Sequence, residues 1–194
     1  MTRKSLDALL TTGGLVVAAI LLVSGGLLTW AHTFVNDQVT TQLTAQQIHF
    51  PPAGKATADP AIGPFINKYA DQQLVNGEQA RAYADHFIAV HLKEMAGGQT
   101  YAQLSAKSQA SPNDEALKGQ VQTMFRGETL RGLLLNAYAF WKMGQIALYG
   151  AIVAFIGAGF MLILSLLGFA HLRRTSPEAV VLTHTTREPV PANA

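Results

Sequence analysis

Two long stretches without an ionisable side chain bracket a polar segment of about 110 residues in this 194-residue chain. The first runs from Ala8 to Ala31, and the second runs from Met143 to Ala170. A helix needs about 20 apolar residues to cross the hydrocarbon core of a bilayer, and both stretches are longer than that. The sequence therefore predicts an all-α membrane protein in which two transmembrane helices flank one helical domain.

The flanking charges predict the orientation of this protein. Basic residues stand before the first stretch at Arg3 and Lys4 and after the second at Arg173 and Arg174. Since basic residues stay on the cytoplasmic side, we expect both termini in the cytoplasm and the domain between the spans to be extracytoplasmic. The expected organisation is a cytoplasmic N-terminus (1–8), transmembrane helix 1 (9–31), an extracytoplasmic helical domain (32–142), transmembrane helix 2 (143–170) and a disordered cytoplasmic tail (171–194).

A cleavable signal peptide is the alternative interpretation of the first stretch. Its basic start fits, but the apolar run is longer than the usual signal core, and Thr29-Trp30-Ala31 is a poor cleavage site. An uncleaved anchor is the preferred interpretation. Both interpretations send the following segment across the membrane.

Charge and cysteine content exclude several classes of function. The formal net charge is only +2, so electrostatics gives no reason to expect a nucleic-acid partner. The chain has no cysteine, which excludes disulfides, thiolate metal sites and cysteine nucleophiles. Neither apolar stretch contains a charge, so we expect no proton relay or ion pathway within the spans. The expected cofactor and metal content is none.

Small residues recur at four-residue steps in both stretches, which allows another helix to approach closely. The candidate packing residues are Gly150, Ala154 and Ala158 in the second stretch and Gly14 and Ala18 in the first. One interpretation is that the two spans pack on each other. The other is contact with a second copy of the chain or with a membrane-protein partner.

Helical spacing and capping residues predict the elements of the central domain. The segment 33–47 continues the first helix until prolines stop it at Pro51. Loop 51–60 and a short helix over about 61–71 follow. Asn76 with Gln79 predicts the next helix start, the glycine pair at 97–98 predicts its end, and Thr100 predicts another start.

Ser111, followed by Pro112 at the first helical position, predicts the start of one long helix that continues to Leu172. The expected core of the central domain consists of large apolar residues from several helices: Phe65, Ile66, Tyr69, Leu74, Tyr83, Phe87, Val90, Leu104, Phe125 and Leu133.

Five polar residues are weak candidates for a site. His91 and Glu94 are three residues apart on one predicted helix, a spacing that allows both side chains to bind one ion. Such pairs usually lie on a solvated face of a helix. Arg126, Glu128 and Arg131 lie on the long helix, where they either form structural ion pairs with Asp85 or Glu94 or bind a ligand or lipid headgroup. No motif specifies a catalytic residue.

Three segments resemble a family of uncharacterised two-span membrane proteins of actinobacteria. They are Gln46–Pro51, Ala82–Lys93 and Phe125–Ala139, and the similarity extends from the first span through the second. Members of that family are sometimes labelled as ring-opening dioxygenase subunits, but this chain has no iron-ligand constellation that supports the label. The resemblance implies a location in the membrane and no activity, so it carries over no catalytic residue.

Three functions fit these features. The leading hypothesis is a non-enzymatic accessory or scaffold subunit of a membrane assembly, with the bilayer and a membrane protein as its partners. The second is an extracytoplasmic sensor or ligand-binding module with a pocket between the helices that start near Asn76 and Pro112. The third is a membrane enzyme that acts on lipid or envelope material, for which His91 and Glu128 are the residues to mutate.

Overall fold

The computed structural model describes residues 3–174, and every regular element in that range is a helix. The α-helices are α1 (Arg3–Ala45), α2 (Gly63–Ile66), α3 (Gly77–Ala82), α4 (Ala89–Met95), α5 (Tyr101–Ala110) and α6 (Glu115–Leu172). A π-helical segment, Tyr83–Ile88, joins α3 directly to α4, and 3₁₀ turns occupy Lys55–Thr57 and Asn67–Tyr69. This confirms the predicted all-helical class for the described residues, whereas most of the predicted tail lies outside them.

Helix caps that depend on neighbouring residues match their predictions. The Asn76 side chain accepts a hydrogen bond from the Gln79 amide at 3.0 Å, and the Gln79 side chain accepts one from the Val75 amide at 2.8 Å. Thr100 and Gln103 form the reciprocal capping box at the start of α5. Gly97 and Gly98 follow α4 with positive φ values of 56° and 77°, as the predicted helix end requires.

The start of the long helix was predicted wrongly. Asp114 is its cap, because its Oδ1 accepts a hydrogen bond from the Leu117 amide at 2.9 Å. Ser111 instead ends the preceding helix, since its amide donates to the Lys107 carbonyl at 3.0 Å. The short helix predicted over 61–71 is likewise divided into α2 and a 3₁₀ turn.

Helices α1 and α6 each contribute residues to two compact units, which are described separately. The apolar unit consists of residues 3–29 and 149–174, and the central unit consists of residues 30–148. By length and composition, α1 and α6 are the two described helices that could cross a membrane. Large apolar side chains cover the outside of the apolar unit; Val153 and Ile156, for example, are 69% and 68% exposed.

The core of the central unit uses residues next to several of those predicted. Phe65, Phe125 and Leu133, which were predicted to lie in the core, are exposed at 44%, 52% and 58%, whereas Met124 and Leu134 are buried beside the last two. Ile66, Leu74 and Leu104 are buried as expected, and the remaining predicted core residues are partly buried against the same cluster: Tyr69, Tyr83, Phe87 and Val90. At Phe125 and Leu133 the error is one residue along α6, which is a rotation of about 100° about the helix axis.

A short antiparallel contact holds the two loops of the central unit together. His49 and Gln73 form an isolated bridge, and the Leu74 amide donates to the Ile48 carbonyl at 2.8 Å. The contact seats Phe50 in the core, where its ring lies 5.1 Å from that of Tyr69. The backbone groups of these loops are thereby paired although no sheet is formed in the described residues.

Candidate functional site

The small residues predicted to pack lie where α1 and α6 meet within the apolar unit. Ala18 and Ala158 have no exposed surface, and Ala154 is 8% exposed. A Cβ atom added to Gly14 would lie 2.5 Å from Ser165 Oγ, and one added to Gly150 would lie 3.3 Å from Leu28 Cδ1. At Gly14 and Gly150 the two apolar stretches therefore lie in close contact, and the use of the small residues for a second copy or a membrane-protein partner stays a prediction.

A cavity of about 390 Å³, lined by both apolar and polar side chains, lies in the same unit near the start of α1 and the end of α6. We call it the span-end cavity. Its polar side chains are Asp7 and Thr11 from α1 and Ser165 and His171 from α6. No sequence pattern indicates this site, because Asp7 and His171 lie near opposite ends of the chain and only the antiparallel pairing of the helices brings them together.

Two oxygen atoms in the span-end cavity are buried without a hydrogen-bond partner, namely Asp7 Oδ2 and Ser165 Oγ. The nearest ionisable group is His171, whose Nε2 lies 3.9 Å from Asp7 Oδ2. The Thr11 hydroxyl donates its hydrogen to the Asp7 carbonyl at 2.7 Å, so only its acceptor capacity is left. The cavity thus presents the Asp7 carboxylate, an acceptor at Thr11 and the Ser165 hydroxyl, which can donate or accept.

In the central unit, a charged cluster joins the π-helical segment to α6. Arg131 Nη2 lies 3.2 Å from Asp85 Oδ1, and Arg131 Nη1 lies 3.4 Å from Glu128 Oε2. Arg81 Nε lies 3.7 Å from Asp85 Oδ2 and its Nη1 donates to Tyr138 Oη at 3.0 Å. The charged cluster contains two guanidinium groups and two carboxylates, so its formal charges cancel. It links the π-helical segment to α6.

The π-helical segment orients this cluster. A π turn contains an extra residue, and such turns widen the helix and often occur at functional positions. Here it presents Asp85 to α6 while Tyr83 and Phe87 pack together with ring centroids 4.9 Å apart. On a neighbouring face His86 stacks on Phe65, with ring centroids 3.6 Å apart and planes 5° apart.

The other predicted polar candidates are not brought together. His91 Nδ1 lies 2.7 Å from the Phe87 carbonyl oxygen, and no hydrogen bond or ion pair found in residues 3–174 joins His91 to Glu94. Arg126 is exposed and forms no ion pair with any described residue. Within the described range, no three His, Cys, Asp or Glu side chains are grouped closely enough to hold a metal ion.

A second polar group, which the sequence did not indicate, links the turn after α2 to α3. Tyr69 Oη donates to Glu78 Oε1 at 2.9 Å, and Lys68 Nζ lies 3.1 Å from the same oxygen. The hydrogen bond from Tyr69 is the largest cause that lowers the pKa of the Glu78 carboxyl, and the hydrogen bond from Lys68 is the next. Burial is the main cause that raises the pKa of the Tyr69 hydroxyl. Like the charged cluster, this group satisfies its own charges.

An apolar groove of about 540 Å³ lies between α1 and α6 in the central unit. Its lining has no ionisable side chain and consists of Phe34, Val35, Gln38, Val39, Gln42, Leu43, Gln46, Leu133, Ala137 and Phe140. Phe34, Leu133 and Phe140 are more than half exposed at its edges. The glutamines recur every fourth residue, a repeat visible in the sequence, but the groove itself depends on the pairing of the two helices.

A close helix contact fixes the walls of this groove. His32 Nδ1 lies 2.9 Å from the Gly144 carbonyl oxygen. Since a carbonyl oxygen can only accept a hydrogen bond, the imidazole nitrogen is the donor. A Cβ atom at Gly144 would lie 3.3 Å from Val35 Cγ1, so glycine lets α1 approach closely there. The groove is therefore bounded by two helices that are held together by specific contacts.

No protein-family model, curated protein or solved structure matches this chain. The resemblance to a two-span actinobacterial family therefore stays a prediction, and the function rests on the geometry alone.

Proposed function

We propose that this protein is a non-enzymatic accessory or scaffold subunit of a membrane assembly. In this proposal α1 and α6 cross the bilayer, both termini are cytoplasmic, and the central unit is extracytoplasmic. The observation that carries the proposal is the apolar groove, where large apolar side chains stay exposed outside the apolar stretches of the chain. Exposed apolar patches with a polar rim mark interaction surfaces.

The lining of the groove indicates the kind of partner. Phe34 and Gln46 are twelve residues apart on α1, which is about 18 Å of helix length. A groove of this length between two helices suits a third helix that places its apolar face in the groove. Because no lining residue is ionisable, the matching helix is apolar with neutral polar residues facing Gln38 and Gln42.

The polar groups of the central unit support an assembly role over ligand binding. The charged cluster and the Lys68–Tyr69–Glu78 group satisfy their charges internally, so neither offers a free charge to an ionic ligand. The exposed apolar surface has no such internal partner among the described residues. The surface that needs a partner is therefore the apolar groove.

Two exposed residues of α6 provide a matched test. Leu133 lines the groove and is 58% exposed, whereas Phe125 is 52% exposed and lies outside its lining. After extraction of native membranes in mild detergent, we expect a stoichiometric partner to copurify with the wild type and Phe125→Gln but not with Leu133→Gln. Equal recovery with both variants, or a monomer under all gentle conditions, would contradict the proposal.

Site-specific crosslinking then identifies what occupies the groove. A photoreactive residue at Gln42, in the groove, should crosslink a membrane protein, and one at Gln122, on an exposed position of α6 outside the lining, should not. A crosslink between two copies of this chain would show that the groove binds a second copy and not a different membrane protein.

A further inference from the structure

The span-end cavity has features that the proposed function does not use. Ser165 is only 3% exposed, lines the cavity and has no hydrogen-bond partner for its hydroxyl oxygen. A buried polar group without a partner costs free energy unless a ligand or water satisfies it. Asp7 Oδ2, at the other end of the cavity, is also a buried atom without a hydrogen-bond partner.

Two glycines lie directly against hydroxyl oxygens of this cavity. A Cβ atom at Gly14 would lie 2.5 Å from Ser165 Oγ, and one at Gly168 would lie 2.5 Å from Thr11 Oγ1. Each glycine therefore makes room for a hydroxyl group on the opposite helix. Asp7, Thr11 and Ser165 all line this cavity, and their side-chain oxygens form a polar path from Asp7 through Thr11 to Ser165.

The spacing of the oxygens excludes a single bound ion. Ser165 faces Gly14, which is seven residues from Asp7, or about 10 Å along α1. Cation–oxygen distances are about 2–2.6 Å, so one ion cannot contact both ends. A single occupant that contacts both ends would have to be an extended molecule, with a cationic donor at the Asp7 end and an acceptor at the Ser165 end.

We propose that the span-end cavity binds a primary ammonium compound, namely the headgroup of an aminophospholipid. The ammonium donates to Asp7 and to Thr11, and the Ser165 hydroxyl, deeper along the span, donates to a glycerol ester carbonyl. The phosphate lies between them, and Lys4, Arg173 and Arg174, which are within about one turn of Asp7 or His171 in the sequence, add positive charge near that end of the cavity. His171, whose Nε2 is 3.9 Å from Asp7 Oδ2, is the further titratable group at this site.

This proposal rests on the proposed function only in placing α1 and α6 in a bilayer. It is tested with the full chain reconstituted into vesicles of equal parts phosphatidylethanolamine and phosphatidylcholine, followed by detergent extraction and quantification of retained lipid. The wild type should retain the ethanolamine lipid preferentially, and each N-methyl group added to the headgroup should reduce retention because it removes an N–H donor.

Two isosteric variants of α1 separate the site from general charge effects. Asp7→Asn should lower the preference about tenfold, as expected for loss of a hydrogen bond to a charged group. Asp37→Asn, on an exposed position of the same helix in the central unit, should leave it unchanged. Ser165→Ala keeps the Cβ atom next to Gly14 and should lower the preference by a smaller factor.

The outcomes are decisive in both directions. No preference in the wild type, or the same preference in Asp7→Asn, overturns the proposal and assigns the cavity to water. In vesicles of phosphatidylcholine alone, free ethanolamine that raises the melting temperature only when Asp7 is present would keep the ammonium chemistry and overturn the lipid source. Leu133→Gln should keep the lipid preference, so failure of the assembly role and failure of this site are distinguishable.

Discussion

At the scale of single residues, the central unit depends on a glycine in contact with an aromatic ring. Gly77 begins α3, and a Cβ atom there would overlap the Trp141 side chain, with 2.6 Å to Cγ and 2.9 Å to Cδ2. These atoms lie close to the α6 backbone and on a rigid ring, so they cannot move aside as the end of a flexible chain can. Glycine is required at this position because a side chain would not fit, and not because of the backbone conformation.

Replacing this glycine tests the contact. Gly77→Ala should destabilise the protein by about 1–3 kcal/mol, the usual cost of overpacking. Gly119→Ala is the control, since a Cβ there meets nothing within 4 Å. The control should stabilise α6 by about 0.5–1 kcal/mol because alanine is the better helix former. Denaturant unfolding of the reconstituted chain, followed by circular dichroism, measures both, and equal effects would contradict the assignment.

At the scale of elements, the charged cluster attaches the π-helical segment to α6. Asp85 and Arg131 are 28% and 32% exposed, so water screens their interaction only in part. Arg131 Nε is buried without a partner, which makes the guanidinium more dependent on its remaining contacts. The cluster thus contributes more than an exposed surface pair does.

We expect Asp85→Ala to reduce stability by about 1–2 kcal/mol, between the values for exposed and buried pairs. Lys118→Ala breaks the Lys118–Glu115 pair, in which the carboxylate is 80% exposed, and should change stability by less than about 0.5 kcal/mol. A double-mutant cycle with Arg131→Met isolates the coupling between Asp85 and Arg131. A coupling no larger than the error of the measurement would show that the pair contributes nothing to stability.

Local signals and tertiary contacts explain which features of these elements were predictable. The caps at Asn76 and Thr100 depend on residues three positions away, so the sequence predicts them correctly. The choice between Phe125 and Met124 for the core depends on how α6 is rotated against its neighbours, which no local pattern specifies. The π-helical segment and the pairing of Arg131 with Asp85 likewise depend on residues far apart in the sequence.

At the scale of the whole molecule, the described helices support the two-span organisation in a coarse form. Both α1 and α6 are long and apolar enough to cross a bilayer, and both continue well beyond the predicted spans. Periodicity predicted these continuations, since helical spacing persists after residue 31 and before residue 143. The sites were less predictable, because the apolar groove and the span-end cavity each need residues from two helices.

The absence of cysteine makes the orientation directly measurable. A single cysteine at Asn113, which is exposed in the central unit, should react with an impermeant maleimide in intact cells. One placed at Thr183 should react only after the membrane is permeabilised, because two basic clusters favour cytoplasmic termini. The opposite pattern of labelling would reverse the proposed topology.

The contact between Gly14 and Ser165 also has a consequence for biogenesis. Its two sides are about 150 residues apart, so α1 is made long before the segment that covers its small-residue face. At a synthesis rate of about 5–20 residues per second, this delay is roughly 7–30 s. During that interval the small-residue face of α1 is uncovered, so its pairing with α6 competes with any other helix that the growing chain meets first.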